Sequence, residues 1–316
     1  MTRSRKNRNT AEPNRYVGRF APSPTGPLHL GSLICALASY LDARHHGGRW
    51  LVRMEDLDPP RESAGAAALI LESLKTHGLE WDGDVLYQSQ RHSAYAAVVE
   101  DLLQRGLAFR CDCTRARLRK QGGVYRGRCR QRNLPAATPA AIRVRVDGPG
   151  SNTPGVAGAD VIDVEDRIQP PLSEAIAQDP GDFIIRRKDG LYAYQLAVVI
   201  DDEFQHITHI LRGSDLYDST PRQVFLQRLL GLSTPVYAHI PVITDDVGEK
   251  LSKQTFAPAI NDRDALDNLR LALRFLGQPP PDAGCSTVTT LLAEAVANWS
   301  LDKVPAVAGI PESRLG

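Results

Sequence analysis

The fold class of this chain follows mainly from residues 16–41, which predict a strand, a polar loop and a helix in direct succession. The strand ends near Gly18, and the loop from Arg19 to Ser32 is rich in Pro, Ser, Thr and Gly. An apolar run without proline follows from Leu30 to Leu41, with the spacing of a helix. This order suits a phosphate at a helix N-terminus, where free N–H groups and the dipole favour negative charge. The glycines fit neither the dinucleotide fingerprint nor the Walker loop, so the stretch alone is explained better by a proline-rich turn.

Strands and helices continue to alternate over the first hundred residues. Residues 49–54 predict a strand that runs into the acidic segment Glu55-Asp56-Leu57-Asp58 and two prolines. Carboxylates at the carboxyl end of a strand lie where open α/β sheets bind ligands, although a solvated turn explains them equally well. Helices are predicted over about 62–77 and 91–105. The alternation predicts an α/β fold with a doubly wound parallel sheet of the Rossmann type.

Composition limits the partners and the compartment. The 316 residues carry a net charge of +1, which predicts no strong global attraction to nucleic acid, so any basic surface must be local. No apolar run approaches the length of a membrane span, and the basic first fifteen residues lack the apolar region of a secretory signal. Five cysteines fit a reducing, cytoplasmic compartment and a metal site better than a disulfide framework.

Residues 110–132 combine thiols with a dense group of basic residues. Three thiolates, from Cys111, Cys113 and Cys129, would be soft donors that favour tetrahedral zinc, and three unrelated buried thiols are the alternative. No histidine lies nearby, so Tyr125 is the candidate fourth ligand if the charge of the metal lowers its phenol pKa. The nine basic residues of this segment suit phosphate contact: Arg110, Arg115, Arg117, Arg119, Lys120, Arg126, Arg128, Arg130 and Arg132.

From residue 106 to residue 182 the pattern is that of an insertion, partly antiparallel, in the α/β core. Ile142, Val144 and Val146 alternate with polar residues, which predicts a half-buried strand. Further strands are predicted at 161–164, 183–185, 207–212 and 239–243, with a helix over 220–230. Amphipathic helices are predicted over 264–277 and 286–301. The loop at 248–254 holds two lysines around a serine, which can bind one polyphosphate or be an exposed turn.

Five ordered motifs together resemble one family. Residues 27–32, Pro-Leu-His-Leu-Gly-Ser, look like the HIGH signature of class I aminoacyl-tRNA synthetases, and residues 250–254, Lys-Leu-Ser-Lys-Gln, look like their KMSKS loop. Residues 19–26, 55–58 and 207–213 are similar to glutamyl-tRNA synthetases. The chain departs from the literal signatures at Ser32, Leu251 and Gln254, where such substitutions are common in the glutamate branch.

The cysteine cluster and residues 194–199 narrow the resemblance to the glutamyl-Q tRNA(Asp) synthetases, a truncated branch of that family. Only 62 residues follow the lysine loop, too few for a full anticodon-binding domain. The resemblance implies ATP-dependent activation of L-glutamate to glutamyl-adenylate, with transfer to the queuosine base at the wobble position of tRNA(Asp). It implies that the anticodon stem-loop enters the active site. The alternatives are a compact glutamyl-tRNA synthetase that charges a tRNA 3′ end and a non-catalytic module that binds glutamate or RNA.

The resemblance also implies roles for individual residues. The glutamate contacts would be Arg19, Phe20, Ala21, Pro22, Ser23, Glu55, Tyr194 and Arg212, with the arginines on the carboxylates and Glu55 on the ammonium. The ATP contacts would be His29, Gly31, Ser32, Lys250, Ser252 and Lys253, of which His29, Lys250 and Lys253 would be catalytic. One structural zinc would be held by Cys111, Cys113, Tyr125 and Cys129, and Mg²⁺ would accompany ATP.

The expected layout has five parts in a monomeric chain. They are a basic arm (1–14), the first half of the catalytic domain (15–105), the inserted zinc-binding subdomain (106–182), the second half of the catalytic domain (183–245), and the lysine loop with a short helical C-terminal region (246–316).

Overall fold

The protein is described by a computed structural model that covers residues 16–120, 122, 124–125, 127–146, 161–248, 258–282 and 284–314. Its strands are β1 (Val17–Phe20), β2 (Arg49–Met54), β3 (Leu86–Tyr87), β4 (Ala108–Cys111), β5 (Ala141–Val144), β6 (Ile162–Val164), β7 (Leu172–Glu174), β8 (Ile184–Arg186), β9 (His209–Gly213), β10 (Val236–Ile240), β11 (Val242–Thr244) and β12 (Gly309–Pro311). Its helices are α1 (Leu30–His45), α2 (Ala66–Thr76), α3 (His92–Gln104), α4 (Arg115–Lys120), α5 (Tyr194–Phe204), α6 (Thr220–Leu230), α7 (Ala265–Phe275) and α8 (Val288–Asn298).

Parallel strands from two distant parts of the chain lie next to each other. β1 pairs with β2 and β2 with β3, while β9 pairs with β10, and every one of these pairs is parallel. The amide of Thr208, just before β9, donates to the carbonyl of Val17 in β1 at 2.9 Å, which joins the two groups. The predicted α/β class is confirmed. β2 is buried along its whole length except at Arg49. Parallel strands that are covered on both faces are rich in apolar residues, as β2 is.

The strand–loop–helix start of the chain is confirmed. β1 leads to α1, whose side chains Leu33, Leu37 and Leu41 are fully buried against the sheet. The helix ends before Gly47, which has a left-handed φ of +62° that favours glycine. The predicted helices over 91–105 and 220–230 are confirmed to within one residue.

The second helix begins later than predicted. Residues 59–61 form a separate turn of 3₁₀ helix, and α2 begins at Ala66 instead of residue 62. Gly65 precedes it with a left-handed φ of +77°, a backbone conformation that cannot belong to a right-handed helix. The start of α2 is therefore set by this glycine.

The middle of the chain forms antiparallel pairs. β4, β5 and β8 make one sheet, and β6 and β7 pair separately. The prediction of a half-buried strand at 142–146 is wrong in one respect, because Arg143 is also buried. Its guanidinium lies 4.2 Å from the centre of the Tyr125 ring and donates to the carbonyl of Asp182 at 2.6 Å. An internal acceptor and an aromatic face thus replace water around this cation.

The strand predicted over 239–243 is in fact two strands. Proline 241 separates β10 from β11, since proline has no N–H to continue a ladder. β11 pairs with β12, near the end of the described chain. The two predicted amphipathic helices correspond to α7 and α8, which share one apolar core with α1. In the part of the chain that the structure describes, no helix has the length and apolar character needed to span a membrane.

Candidate active site

A cavity of about 570 Å³ lies where β1, β2, β9 and β10 end. Because the strands in each of these pairs are parallel, their carboxyl ends bring residues from distant parts of the sequence to the same edge. Eleven of the residues predicted for substrate contact line this cavity: Arg19, Phe20, Ala21, Pro22, Ser23, His29, Gly31, Ser32, Glu55, Tyr194 and Arg212. The other three, Lys250, Ser252 and Lys253, lie outside the described residues.

Two arginines share one buried carboxylate, and one of them, Arg19, lines the cavity. Asp202 Oδ1 accepts from Arg53 Nη1 at 2.8 Å and from Arg19 Nε at 3.2 Å, and all three side chains are buried. Burial disfavours the ionised form of Asp202, but the two guanidinium groups outweigh it and hold the pKa of this carboxyl below its usual range. Arg19 is therefore held in a fixed position at the end of β1.

Glu55 lies beside this network, at the end of β2. Its Oε1 is 3.4 Å from Arg53 Nη2. Burial raises the pKa of Glu55, and the nearby Arg53 and Arg19 oppose this rise only in part. A further cationic group entering the cavity would favour the ionised carboxylate. Glu55 is thus suited to receive an ammonium group.

Arg212 is held on the other side of the cavity by neutral groups. Its Nε donates to His239 Nε2 at 2.9 Å, and its Nη2 donates to Thr220 Oγ1 at 2.9 Å. Its Nη1 lies 3.3 Å from the hydroxyl of Tyr194, whose pKa is raised by burial. His239 in turn contacts Asp166 at 2.6 Å. These contacts orient a buried guanidinium toward the cavity.

The first turn of α1 borders the same cavity. His29 is the N-cap residue, and its Nδ1 accepts from the amide of Ser32 at 3.3 Å. The Ser32 hydroxyl lies 2.9 Å from Nε2 of the same ring. A Cβ atom at position 31 would lie only 3.2 Å from the His29 ring. Glycine at this position therefore avoids a steric contact with the imidazole. One of the amides predicted for phosphate contact, that of Ser32, is here occupied by His29.

Sequence reasoning missed four side chains that support the site: Arg53, Asp166, Asp202 and His239. A local signal existed for Arg53, an arginine near the end of β2 with an apolar residue on each side. Another existed for Asp202, one of two adjacent aspartates within an apolar stretch. Asp166 and His239 gave no such signal, because their partners are far away in the sequence.

The three cysteines come together away from this cavity. The sulfur atoms of Cys111, Cys113 and Cys129 all lie within 4.8 Å of one another, and Cys113 and Cys129 are 3.7 Å apart. Two thiolates at about 2.3 Å from a tetrahedral zinc are about 3.8 Å apart, so the spacing fits this metal. The Tyr125 hydroxyl accepts from the amide of Cys129 at 2.6 Å. Burial raises the pKa of this phenol, which a bound cation would oppose.

The basic residues around the cysteines divide into two groups. Arg130 forms two hydrogen bonds of 2.7 Å to Asp182, Arg132 pairs with Asp112, and Arg110 donates to loop carbonyls. These three arginines have internal partners, which the sequence did not predict. Five further members are exposed: Arg115, Arg117, Arg119, Lys120 and Arg128. Arg126 lies outside the described residues.

The cavity at the strand ends, with a histidine-capped helix on its border, has the features of a class I aminoacyl-tRNA synthetase catalytic domain. The family model described as tRNA synthetases class I (E and Q), catalytic domain, matches residues 16–277. Proteins named glutamyl-Q tRNA(Asp) synthetase are similar over nearly the whole chain. The one from Pseudomonas fluorescens is 51% identical, covering 95% of this chain and 97% of that protein, and the one from Thiobacillus denitrificans is 53% identical, covering 93% and 96%.

Among solved structures, the chain is similar to a glutamate tRNA ligase from Elizabethkingia meningosepticum in complex with its amino acid. The TM-score is 0.76 at 26% identity, over 94% of this chain and 67% of that one. The chain therefore belongs to the class I synthetase family of the E and Q type and, within it, to the glutamyl-Q tRNA(Asp) synthetases.

Proposed function

We propose that the protein activates L-glutamate with ATP and transfers the glutamyl group to the queuosine base of tRNA(Asp). The observation that carries this proposal is the cavity at the strand ends, which combines two buried arginines, the carboxylate of Glu55 and a helix N-terminus. The relatives named above, about half identical in sequence, support the choice of substrates.

The charges of glutamate match those of the cavity. Glutamate carries two carboxylates and one ammonium group, and the cavity offers Arg19, Arg212 and Glu55. Arg19 and Arg212 would each bind one carboxylate, with a bidentate geometry that lysine cannot reproduce. Glu55 would bind the ammonium. Tyr194 and the segment 20–23 would complete the wall of the amino-acid site.

ATP would bind beside the first turn of α1, against His29, Gly31 and Ser32. The described residues that flank the lysine loop support its assignment to the same site. On one side β11 lines the cavity, and on the other Ala259 bridges to His29 while the amide of Ile260 donates to the carbonyl of Leu28 at 3.0 Å. Lys250, Ser252 and Lys253 would therefore contact the phosphates opposite the helix.

Activation needs positioning and charge neutralisation more than a general base. A carboxylate oxygen of glutamate attacks the α-phosphorus, the bond to the β-phosphate oxygen breaks, and pyrophosphate leaves with the electron pair. The chain would hold the attacking carboxylate in line with the phosphorus and neutralise the developing charge with Lys253 and the amides near Gly31. Mg²⁺ would enter with the nucleotide and spread the phosphate charge.

The cysteine cluster would hold one structural zinc, with Tyr125 as the fourth ligand. The fit of the sulfur spacing to a tetrahedral site and the mutual approach of all three thiols support this assignment. The proposed division of the chain is a basic arm (1–14), two halves of the catalytic domain (15–105 and 183–245) around an inserted unit (106–182), and the residues from 246 onward. The antiparallel pairs β4–β5 and β6–β7 lie within the inserted unit and support it, whereas β8, the third strand of the sheet that contains Cys111, lies just beyond residue 182.

The RNA would meet the exposed basic face of α4. Among the described residues, the arginines and the lysine of this helix form no ion pair of the kind that holds Arg130 and Arg132. The chain would act as a monomer on the anticodon stem-loop.

One experiment tests the transfer step directly. The protein is incubated with ATP, labelled glutamate and an isolated anticodon stem-loop that carries queuosine but has no acceptor end.

Labelling of the stem-loop is the expected result, with the same stem-loop carrying unmodified guanine as the matched control. Labelling only of whole tRNA at its 3′ end would instead assign a compact glutamyl-tRNA synthetase. If no glutamyl-adenylate forms with any RNA, the chain is a binding module and the proposal is wrong.

A further inference from the structure

The partners of Arg212 differ in kind from those of Arg19, the second buried arginine that lines the cavity. Arg19 is paired with a carboxylate, since its Nε donates to Asp202. Among the described residues, Arg212 has no carboxylate partner, and its hydrogen bonds go to an imidazole, two hydroxyls and the carbonyl of Leu216. A guanidinium held only by neutral acceptors keeps its charge for an incoming anion.

The acceptor for Arg212 Nε is fixed by a second buried contact. An arginine Nε–H can only donate, so His239 Nε2 must be the acceptor and the imidazole proton must be on Nδ1. His239 Nδ1 lies 2.6 Å from Asp166 Oδ2, and both side chains are fully buried. The amides of Ile168, Gln169 and His239 itself donate to Oδ1 of the same aspartate, at 2.8–3.2 Å. Four donors thus hold the Asp166 carboxylate in one orientation.

We propose that Asp166 and His239 are positioning residues for Arg212. Together they present a neutral imidazole acceptor of fixed tautomer to Arg212, so that its guanidinium keeps its full charge for a substrate carboxylate. Asp166 orients the ring but is separated from Arg212 by the imidazole, so it does not compete with the substrate for the guanidinium. A protonated imidazole would have donors on both nitrogens and would oppose Arg212 directly. Burial lowers the pKa of His239, which favours the neutral ring.

The inference rests on the proposed activation of glutamate, and steady-state ATP–pyrophosphate exchange tests both. Asp166→Asn offers an amide donor to Nδ1, which moves the ring proton to Nε2 and sets it against Arg212. We expect the KM for glutamate to rise about 10- to 100-fold, because a buried charged donor loses its acceptor. The KM for ATP and kcat should change less than about threefold, because Arg212 would not contact the nucleotide.

Substitutions at His239 distinguish a role in positioning Arg212 from a role in filling space in the core. His239→Gln retains a neutral side-chain acceptor for Arg212 and should keep the KM for glutamate closer to that of the unmodified protein than His239→Ala does. His77→Gln is the matched control, because His77 is also fully buried and hydrogen-bonded but does not line the cavity. The control should leave the KM for glutamate unchanged.

Nitrogen-15 NMR of histidine-labelled protein provides a readout that does not depend on a variant folding. Resonances of a neutral His239 ring protonated on Nδ1 are expected, and protonation on Nε2 or on both nitrogens would overturn the inference. If the unmodified protein exchanges pyrophosphate but Asp166→Asn has a normal KM for glutamate, the positioning role is wrong while the proposed function stands. No exchange by the unmodified protein, with or without RNA, would refute the proposed function, and the NMR result would still report on the tautomer.

Discussion

Asp202→Asn is the substitution whose effect the structure predicts most directly. The carboxylate accepts from two arginines, Arg53 at 2.8 Å and Arg19 at 3.2 Å, and it is buried with both of them. Asparagine keeps the size and one oxygen acceptor but removes the charge. The two buried cations then lose the one carboxylate that both of them contact, and Glu55 lies 3.4 Å from Arg53 only. Loss of one partner of a buried ion pair costs about 3–5 kcal/mol. We expect the free energy of unfolding to fall by that amount.

The matched control is Asp101→Asn. Asp101 pairs with Arg105 at 2.8 Å in the same helix, but about half of each side chain is exposed. An exposed pair of this kind contributes less than about 0.5 kcal/mol. Urea unfolding followed by far-UV circular dichroism at pH 7 measures both variants. An Asp202→Asn variant as stable as the control would refute the view that the two arginines depend on this charge.

The contribution of the Asp202 charge to the free energy of unfolding should also depend on pH. Because the folded pKa of Asp202 is lowered, its charge contributes full stability above the unfolded pKa of about 3.9 and loses that contribution as the pH falls toward the folded pKa. The difference between the unmodified protein and Asp202→Asn should therefore be constant near neutral pH and shrink below about pH 4. A difference that grows on acidification would contradict the assignment.

Three further predictions concern the proposed site and the metal. Lys253→Ala should slow glutamate-dependent ATP–pyrophosphate exchange by about 10²–10³-fold with an unchanged far-UV spectrum, whereas Lys75→Ala, on the exposed face of α2, should not; near-normal exchange by Lys253→Ala would rule out its role. Arg19→Ala should raise the KM for glutamate by about 10- to 100-fold, since a buried carboxylate loses a charged donor, and an unchanged KM would show that Arg19 does not bind it. Metal analysis of purified protein should find about one zinc per chain, and Cys129→Ser should reduce it; folded protein without metal would disprove the zinc site.

Local patterns were sufficient to predict most helices and strands. α1 and α6 were predictable because an apolar period ends at a glycine that the structure shows in a left-handed conformation, Gly47 and Gly231. β2 was predictable because its apolar run is bounded by a glycine pair and by acidic residues. The errors arose where tertiary contacts determine whether a side chain is buried. Alternation predicted an exposed Arg143, but an aromatic ring and a carbonyl from elsewhere in the chain let it be buried.

The candidate site shows the same limit. Motif resemblance named eleven of the residues that line the cavity, and most of these lie at a strand end or a helix start that the pattern already marked. The supporting pairs join residues far apart in the sequence: Arg53 lies 149 positions from Asp202, and Asp166 lies 73 positions from His239. No periodicity or short motif encodes such a pair. Only the packing of the two groups of strands brings its members together.

Arg53 illustrates what such a buried charged partner contributes to the site. Its side chain is fully buried, and its Nε has no hydrogen-bond partner in the described part of the chain. A buried ion pair of this kind is often no more stable than apolar residues of similar volume, so stability of the fold is a weak reason for its presence. Its position suggests a better one. Burial raises the pKa of Glu55, and Arg53 is the strongest of the charges that lower it. Without Arg53, Glu55 would hold its proton to a higher pH and would bind an ammonium group less well, while Asp202 would lose one of its two donors. One buried arginine thus supports both the proposed ammonium site and the orientation of Arg19.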